Sequence, residues 1–213
     1  MRRAFITAIL PLAVALASCG SGNDDTVSYT DPEKLSLVNL PQNWNTYETS
    51  ELTALDDVPF AEPYGGFEYP PVSALAFDAA PSRDVANVTT SLPMVDYPIG
   101  AMSVRTVGEL ERQYLNRAAL SQSVVPYFQF VDSEEHVRED FSFGDGYDGV
   151  RVLVSYVDES GADVGIAYLI SVTDPADNRM YSIVAGCSRD CYIENQAEIE
   201  RVVDSWLVNK RAS

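Results

Sequence analysis

Acid–base and nucleophilic chemistry in this chain has few residue types to draw on. There is one histidine, His136, beside three cysteines (Cys19, Cys187 and Cys191) and 32 Asp+Glu. Any Ser-His-Asp or Cys-His system must therefore use His136. It stands in Asp132-Ser133-Glu134-Glu135-His136, an acidic run that reads as a solvated turn before a strand, where an imidazole is exposed and non-catalytic. Paired carboxylates are the other source of hydrolytic chemistry. A glycosidase-type pair needs its carboxyls about 5–10 Å apart across a cleft, which spacing along a sequence does not show. Asp145, Asp148, Asp174 and Asp177 lie in Gly- and Pro-containing turns; they match no twelve-residue calcium loop and read as ordinary turn residues. A metal centre would need Cys or His ligands near His136 in the sequence, and it has none. No glycine-rich phosphate loop follows a strand. No catalytic residue, cofactor or metal is expected.

The start of the chain carries a different kind of chemistry. Arg2 and Arg3 precede an apolar run from Ala4 to Ala17, which ends in small residues. That is the layout of an export signal. About fourteen apolar-leaning residues are too few for a bilayer core that needs ~20. Leu16-Ala17-Ser18-Cys19 resembles the lipobox of bacterial lipoproteins. The resemblance implies that residues 1–18 are a signal peptide, that the Cys19 thiol takes a diacylglyceryl group, and that Cys19 becomes the first mature residue. Two or more acyl chains, palmitate among them, hold a protein firmly to a membrane where one does not. Gly20, not Asp, follows Cys19, so the resemblance gives no argument for inner-membrane retention; cell membrane and outer membrane both stay open. Arg2-Arg3-Ala4-Phe5-Ile6 is similar to a shortened twin-arginine motif, yet two arginines equally serve general export. With Cys19 lipidated outside the cytoplasm, Cys187 and Cys191 form an even pair where disulfides persist. Three residues separate them, whereas a redox pair favours two. They read as a structural disulfide at the entry to the last helix.

Lys+Arg number 14 against 32 Asp+Glu, for a net charge of −18. Such a body repels nucleic-acid phosphates, so no nucleic-acid partner is expected. With 46% apolar and 10% aromatic residues, it is a folding sequence. The Gly-, Ser-, Asn- and Asp-rich residues 19–32 read as a flexible, lipidated tether, and residues 33–213 as one domain. Within that domain, residues 56–98 hold seven of the twelve prolines and read as a Pro- and aromatic-rich insert, with one strand at Val72–Phe77. Phe60, Tyr64, Phe67 and Tyr69 crowd around Gly65-Gly66. They are a candidate partner-binding lip, or a loop that pins itself to the sheet.

Strands are expected around Leu35–Leu40, up to Tyr47, and over Ile99–Val107. Leu110, Tyr114, Leu115 and Ala118 share one face of a mid-chain helix. From Val137 to Ala185, alternation at period two with turns between predicts four consecutive antiparallel strands. Asn195-Gln196-Ala197-Glu198 reads as a helix start. Ile199, Val202, Val203, Trp206 and Leu207 then form the apolar stripe of a closing helix. The fold class is α+β, an antiparallel sheet covered by two helices. Leu40-Pro41-Gln42-Asn43-Trp44 after an early strand, Gly149-Val150-Arg151 opening another, and Val203-Asp204-Ser205-Trp206 in the closing helix together resemble the Mog1/PsbP-like fold. The layout, lipobox and tether included, is similar to the actinobacterial LpqN and LpqT lipoproteins. That resemblance implies a non-catalytic binding or assembly factor of the cell envelope, whose partner is a protein complex or a lipid. An envelope hydrolase using paired carboxylates, and a structural surface lipoprotein with no defined ligand, are the alternatives.

Overall fold

The computed structural model describes residues 25–31, 33–52, 71–89, 95–109, 120, 132–143, 147–157, 160–174 and 178–209. Among these residues the strands form two antiparallel sheets. The small one has the order β1-β2-β10, from β1 (Thr26–Thr30), β2 (Ser36–Pro41) and β10 (Leu207–Val208). The large one runs β3-β4-β5-β9-β8-β7-β6. Its members are β3 (Asn45–Glu48), β4 (Pro71–Asp78), β5 (Ile99–Thr106), β6 (Asp132–Phe143), β7 (Tyr147–Val157), β8 (Asp163–Asp174) and β9 (Arg179–Ser188). The α+β class and the run of four hairpin-linked strands, β6 to β9, are as the periodicity predicts. No helix among the described residues is long and apolar enough to cross a membrane.

Alternation sorts the sheet into two faces. Val150, Val152, Val154 and Tyr156 of β7 are buried on one; Arg151, Leu153 and Ser155 lie on the other. A closing helix, α2 (Arg189–Asp204), packs on β8, β9 and β2. It does so through Ile199, Val202 and Val203, each fully buried. A single helical turn, α1 (Thr49–Leu52), and a 3-10 turn at Val85–Thr89 lie against β3, β4 and β5 at the other end of the sheet. A second small core of Tyr47, Leu52, Ala74 and Ala76 forms there.

Three sequence expectations are corrected. The stretch read as a tether contains β1, paired with β2 from Thr26↔Pro41 to Thr30↔Leu37. Asp31 explains why so polar a segment is ordered. Its carboxylate is buried in the β1–β2 turn and accepts from the Glu33 and Ser36 amides and the Ser36 hydroxyl. The strand expected at Val72–Phe77 within the Pro-rich region is present as β4, between β3 and β5. Pro71 fits as the first residue of that strand, beside a register shift, where a missing N–H is tolerated. His136 lies within β6 at a bulge, not in a turn ahead of it. The closing helix begins at Arg189, so Asn195 is interior and its amide donates to the Cys191 carbonyl at 2.9 Å. Leu207 lies past the helix end, in β10, and is 59% exposed. Of the expected mid-chain helix, residues 110–119 lie outside the described residues; Glu109 and Leu120 are helical, and Leu120 is buried.

Candidate functional site

Each chemistry-bearing side chain is placed by a particular strand or turn. Cys187 is the penultimate residue of β9 and Cys191 lies in the first turn of α2, with Cα atoms 5.9 Å apart and the thiols joined in a disulfide. Both are buried, and that staples the helix start to the strand before it. Ser188, the residue before the helix, gives the helix's first amides no side-chain cap. Its hydroxyl instead donates to Asp96 Oδ1 at 3.1 Å. The crosslink takes over positioning that a cap would otherwise supply.

The sole histidine is held between two hairpins. His136 is exposed on β6, and its Nε2 lies 2.8 Å from Ser155 Oγ on β7. Ser155 is fully buried, and its hydroxyl donates to Asp163 Oδ1, 2.9 Å away at the start of β8. A hydroxyl has one proton. Because Ser155 gives it to the carboxylate, His136 must present Nε2–H to the serine oxygen. This is the reverse of an activated nucleophile, in which the imidazole nitrogen takes the serine proton and the carboxylate orients the imidazole. Histidine, serine and aspartate meet here, with serine in the middle, and the arrangement stabilises a strand edge.

The described buried carboxylates are engaged in similar local roles. Asp78 accepts from Tyr47 Oη at 2.7 Å, Asn45 Nδ2 at 2.7 Å and the Ala80 amide at 2.8 Å. Burial, and then the adjoining Asp78 carboxylate, push the Tyr47 phenol up to about 12. Arg83 lies 4.8 Å over the Tyr47 ring and pairs with Glu51. On the helix side, Arg151 reaches Asp204 at 3.4 Å and Tyr168 donates to the same carboxylate at 3.1 Å. Burial is the main reason that Tyr168 is pushed up to about 12.

Of the turn aspartates, Asp148 accepts from Ser142 Oγ at 2.7 Å and Asp174 is buried; Asp145 and Asp177 lie outside the described residues. Among the described residues, no three His, Cys, Asp or Glu side chains come together as metal ligands would. Cys19 and the aromatic set Phe60, Tyr64, Phe67 and Tyr69 also lie outside the described residues. The structure thus brings together Cys187 with Cys191, as their spacing suggests. It also brings together two groupings that the sequence did not reveal: His136 with Ser155 and Asp163, and Tyr47 with Asp78. Both depend on which residues face each other across strands. For the first, the alternation of β7 and β8 held a usable signal, since their antiparallel register places Ser155 close to Asp163.

No protein-family model and no curated protein matches the sequence. Among solved structures, the chain is similar to cyanobacterial PsbP from Synechocystis sp. PCC 6803, at 14% identity and a TM-score of 0.50 over 91% of this chain and 99% of that one. It is also similar to the Ran-binding protein Mog1p of Saccharomyces cerevisiae, at 8% identity and a TM-score of 0.47 over 86% and 95%. With its antiparallel sheet, closing helix and nearly end-to-end superposition on PsbP, the chain has the Mog1/PsbP-like fold.

Proposed function

We propose that this chain is an extracytoplasmic lipoprotein, anchored in the cell membrane or outer membrane through Cys19, and that its folded body is a non-catalytic binding or assembly module of the cell envelope. The observation that carries the anchor is the sequence of residues 1–19: two arginines, a short apolar run, and Leu16-Ala17-Ser18-Cys19. Layout and lipobox resemble those of the actinobacterial LpqN and LpqT lipoproteins. The buried, disulfide-bonded Cys187 and Cys191 suit an oxidising compartment. The non-catalytic part draws on the hydrogen bonding of His136, whose partner serine has already given its proton to Asp163. Partners of so acidic a chain, of net charge −18 over its full length, are protein complexes or lipids of the envelope, with nucleic acid disfavoured.

Affinity capture of the intact protein from its own membranes, with proteins and lipids both identified, tests the module. A stoichiometric envelope protein or lipid that is lost when the body is unfolded supports it. Recovery of the lipidated chain alone, with no bound lipid, would leave a structural surface lipoprotein as the better description. Turnover of an envelope substrate abolished by one carboxylate substitution would establish a hydrolase instead.

A further inference from the structure

Among the described residues the two sheets end in β3, β6, β1 and β10, and three of these edges are closed to a further strand. β6 carries Asp132, Glu134, Glu135, Arg138, Glu139 and Asp140, with a bulge at His136. β3 has four residues, and its Thr46 carbonyl accepts from Arg83 Nη2 at 2.9 Å. β10 has two residues. Charge, broken register and shortness are the devices that keep strand edges from pairing. β1 is different. Thr26-Val27-Ser28-Tyr29-Thr30 is uncharged, has no proline, keeps unbroken register with β2, and is rich in the β-branched and aromatic residues that favour strands.

Register fixes which backbone groups β1 offers. The Asp25 carbonyl accepts from the Gln42 amide at 2.9 Å, and the Asp31 amide donates to the Ser36 carbonyl at 3.1 Å. Opposed residues of an antiparallel ladder alternate between hydrogen-bonded and non-bonded pairs. Asp25, Val27, Tyr29 and Asp31 therefore turn their backbone toward β2, and Thr26, Ser28 and Thr30 turn theirs outward. Val27, Ser28 and Thr30 are exposed. Among the described residues, the outward amides and carbonyls of Thr26, Ser28 and Thr30 have no partner.

We infer that β1 pairs antiparallel with β1 of a second copy of this chain, about a two-fold axis at Ser28. The outward set is self-complementary. Ser28 faces the partner's Ser28 and Thr26 faces the partner's Thr30, so every outward N–H and C=O of both strands is used. Val27, 38% exposed, then meets the partner's Tyr29 on the side of the sheet where Tyr29 already packs against the core. No charge lies between Thr26 and Thr30. Two chains of net charge −18 thus meet where neither is charged, and salt that screens their overall repulsion tightens the pair. A contact of this kind closes on itself, as homodimer contacts do. Its seam of five residues is small beside the roughly 1,200–2,000 Å² of a stable interface, so the association is reversible. It needs no lipid on Cys19.

Full-length protein carrying single cysteines, oxidised in its own envelope and again after purification in mild detergent, tests this on non-reducing gels. Hydrogen-bonded opposed residues have Cα atoms ~5.5 Å apart, within disulfide range. Ser28→Cys alone should give a reducible species of twice the chain mass, in greater yield as sodium chloride is raised. Thr26→Cys and Thr30→Cys should each stay monomeric alone and crosslink when mixed. Ser28→Pro removes an outward N–H and no β1–β2 hydrogen bond. Added to both chains, it should abolish that mixed crosslink and leave the circular dichroism unchanged. If the Ser28→Cys thiol reacts with maleimide in the folded protein yet yields no dimer in either setting, the pairing is overturned. A dimer of Thr26→Cys alone would overturn the two-fold at Ser28. A Ser28→Cys adduct of any other mass in the envelope would overturn the second copy and give the edge to a different protein.

Discussion

At the scale of the residue, one hydroxyl proton decides what the only histidine can do. Ser155 donates to Asp163 and so accepts from His136. Replacing Ser155 with alanine removes the shared partner of both side chains. We expect it to cost about 1 kcal/mol, the usual net value of such hydrogen bonds, read as a shift in the urea midpoint. Unchanged binding to any captured partner would accompany it. The disulfide is a second residue-scale test. In the chain-entropy view, closing so short a loop stabilises by about 2 kcal/mol, so Cys187→Ser with Cys191→Ser should lower unfolding stability by that amount and leave the fold intact. A third test is the high-pH titration of Tyr47 and Tyr168. Burial raises both phenols to about 12, from an unfolded value near 10. The folded state thus keeps protons that the unfolded state has lost. Their contribution to stability is full below pH 10 and falls away as pH rises to about 12. Tyrosinate absorbance should show Tyr47 and Tyr168 ionising late, together with the buried Tyr156 and Tyr192, and all moving toward pH 10 in denaturant. Tyr47→Phe or Tyr168→Phe should each remove one late-ionising phenol; loss of a phenol that ionises near pH 10 instead would contradict these placements.

At the scale of the element, the parts legible in the sequence were those written in periodicity. Val150, Val152, Val154 and Tyr156 announce β7, and Ile199, Val202 and Val203 announce the buried side of α2. What was not legible depended on partners distant in sequence. Asp132 to His136 looked like a solvated turn because it is so acidic, yet an edge strand is where charge belongs, and the bulge at His136 further blunts its pairing. The helix start was misread because a side-chain cap was sought at Asn195, whereas the disulfide and the strand end at Ser188 set the true start. β1 was hidden because its order comes from Asp31 and from pairing with β2, not from an apolar pattern of its own. Two substitutions check the packing. Ile199→Ala, at a fully buried helix position, should cost about 2–5 kcal/mol. Gly149 lies under the Phe141 ring, so close that a Cβ would collide with it. Gly149→Val should therefore destabilise the β6–β7 pairing, seen as faster amide exchange in both strands.

At the scale of the whole molecule, the fold is visible in the architecture, and the proposed function depends on nineteen residues ahead of it. A Mog1/PsbP-like body with a stapled closing helix is a scaffold for many roles, and fold alone assigns none of them. The thioether on Cys19 would give this acidic body a membrane address, and the short segment between Cys19 and β1 would set how far from the lipid it can act. The most direct measurement is the intact mass of the protein purified from its native membranes, with fragmentation of its amino-terminal peptide. The account predicts a chain that starts at Cys19, lacks residues 1–18, and carries a diacylglyceryl thioether on that cysteine. A chain starting elsewhere, or a free Cys19 thiol, would contradict it.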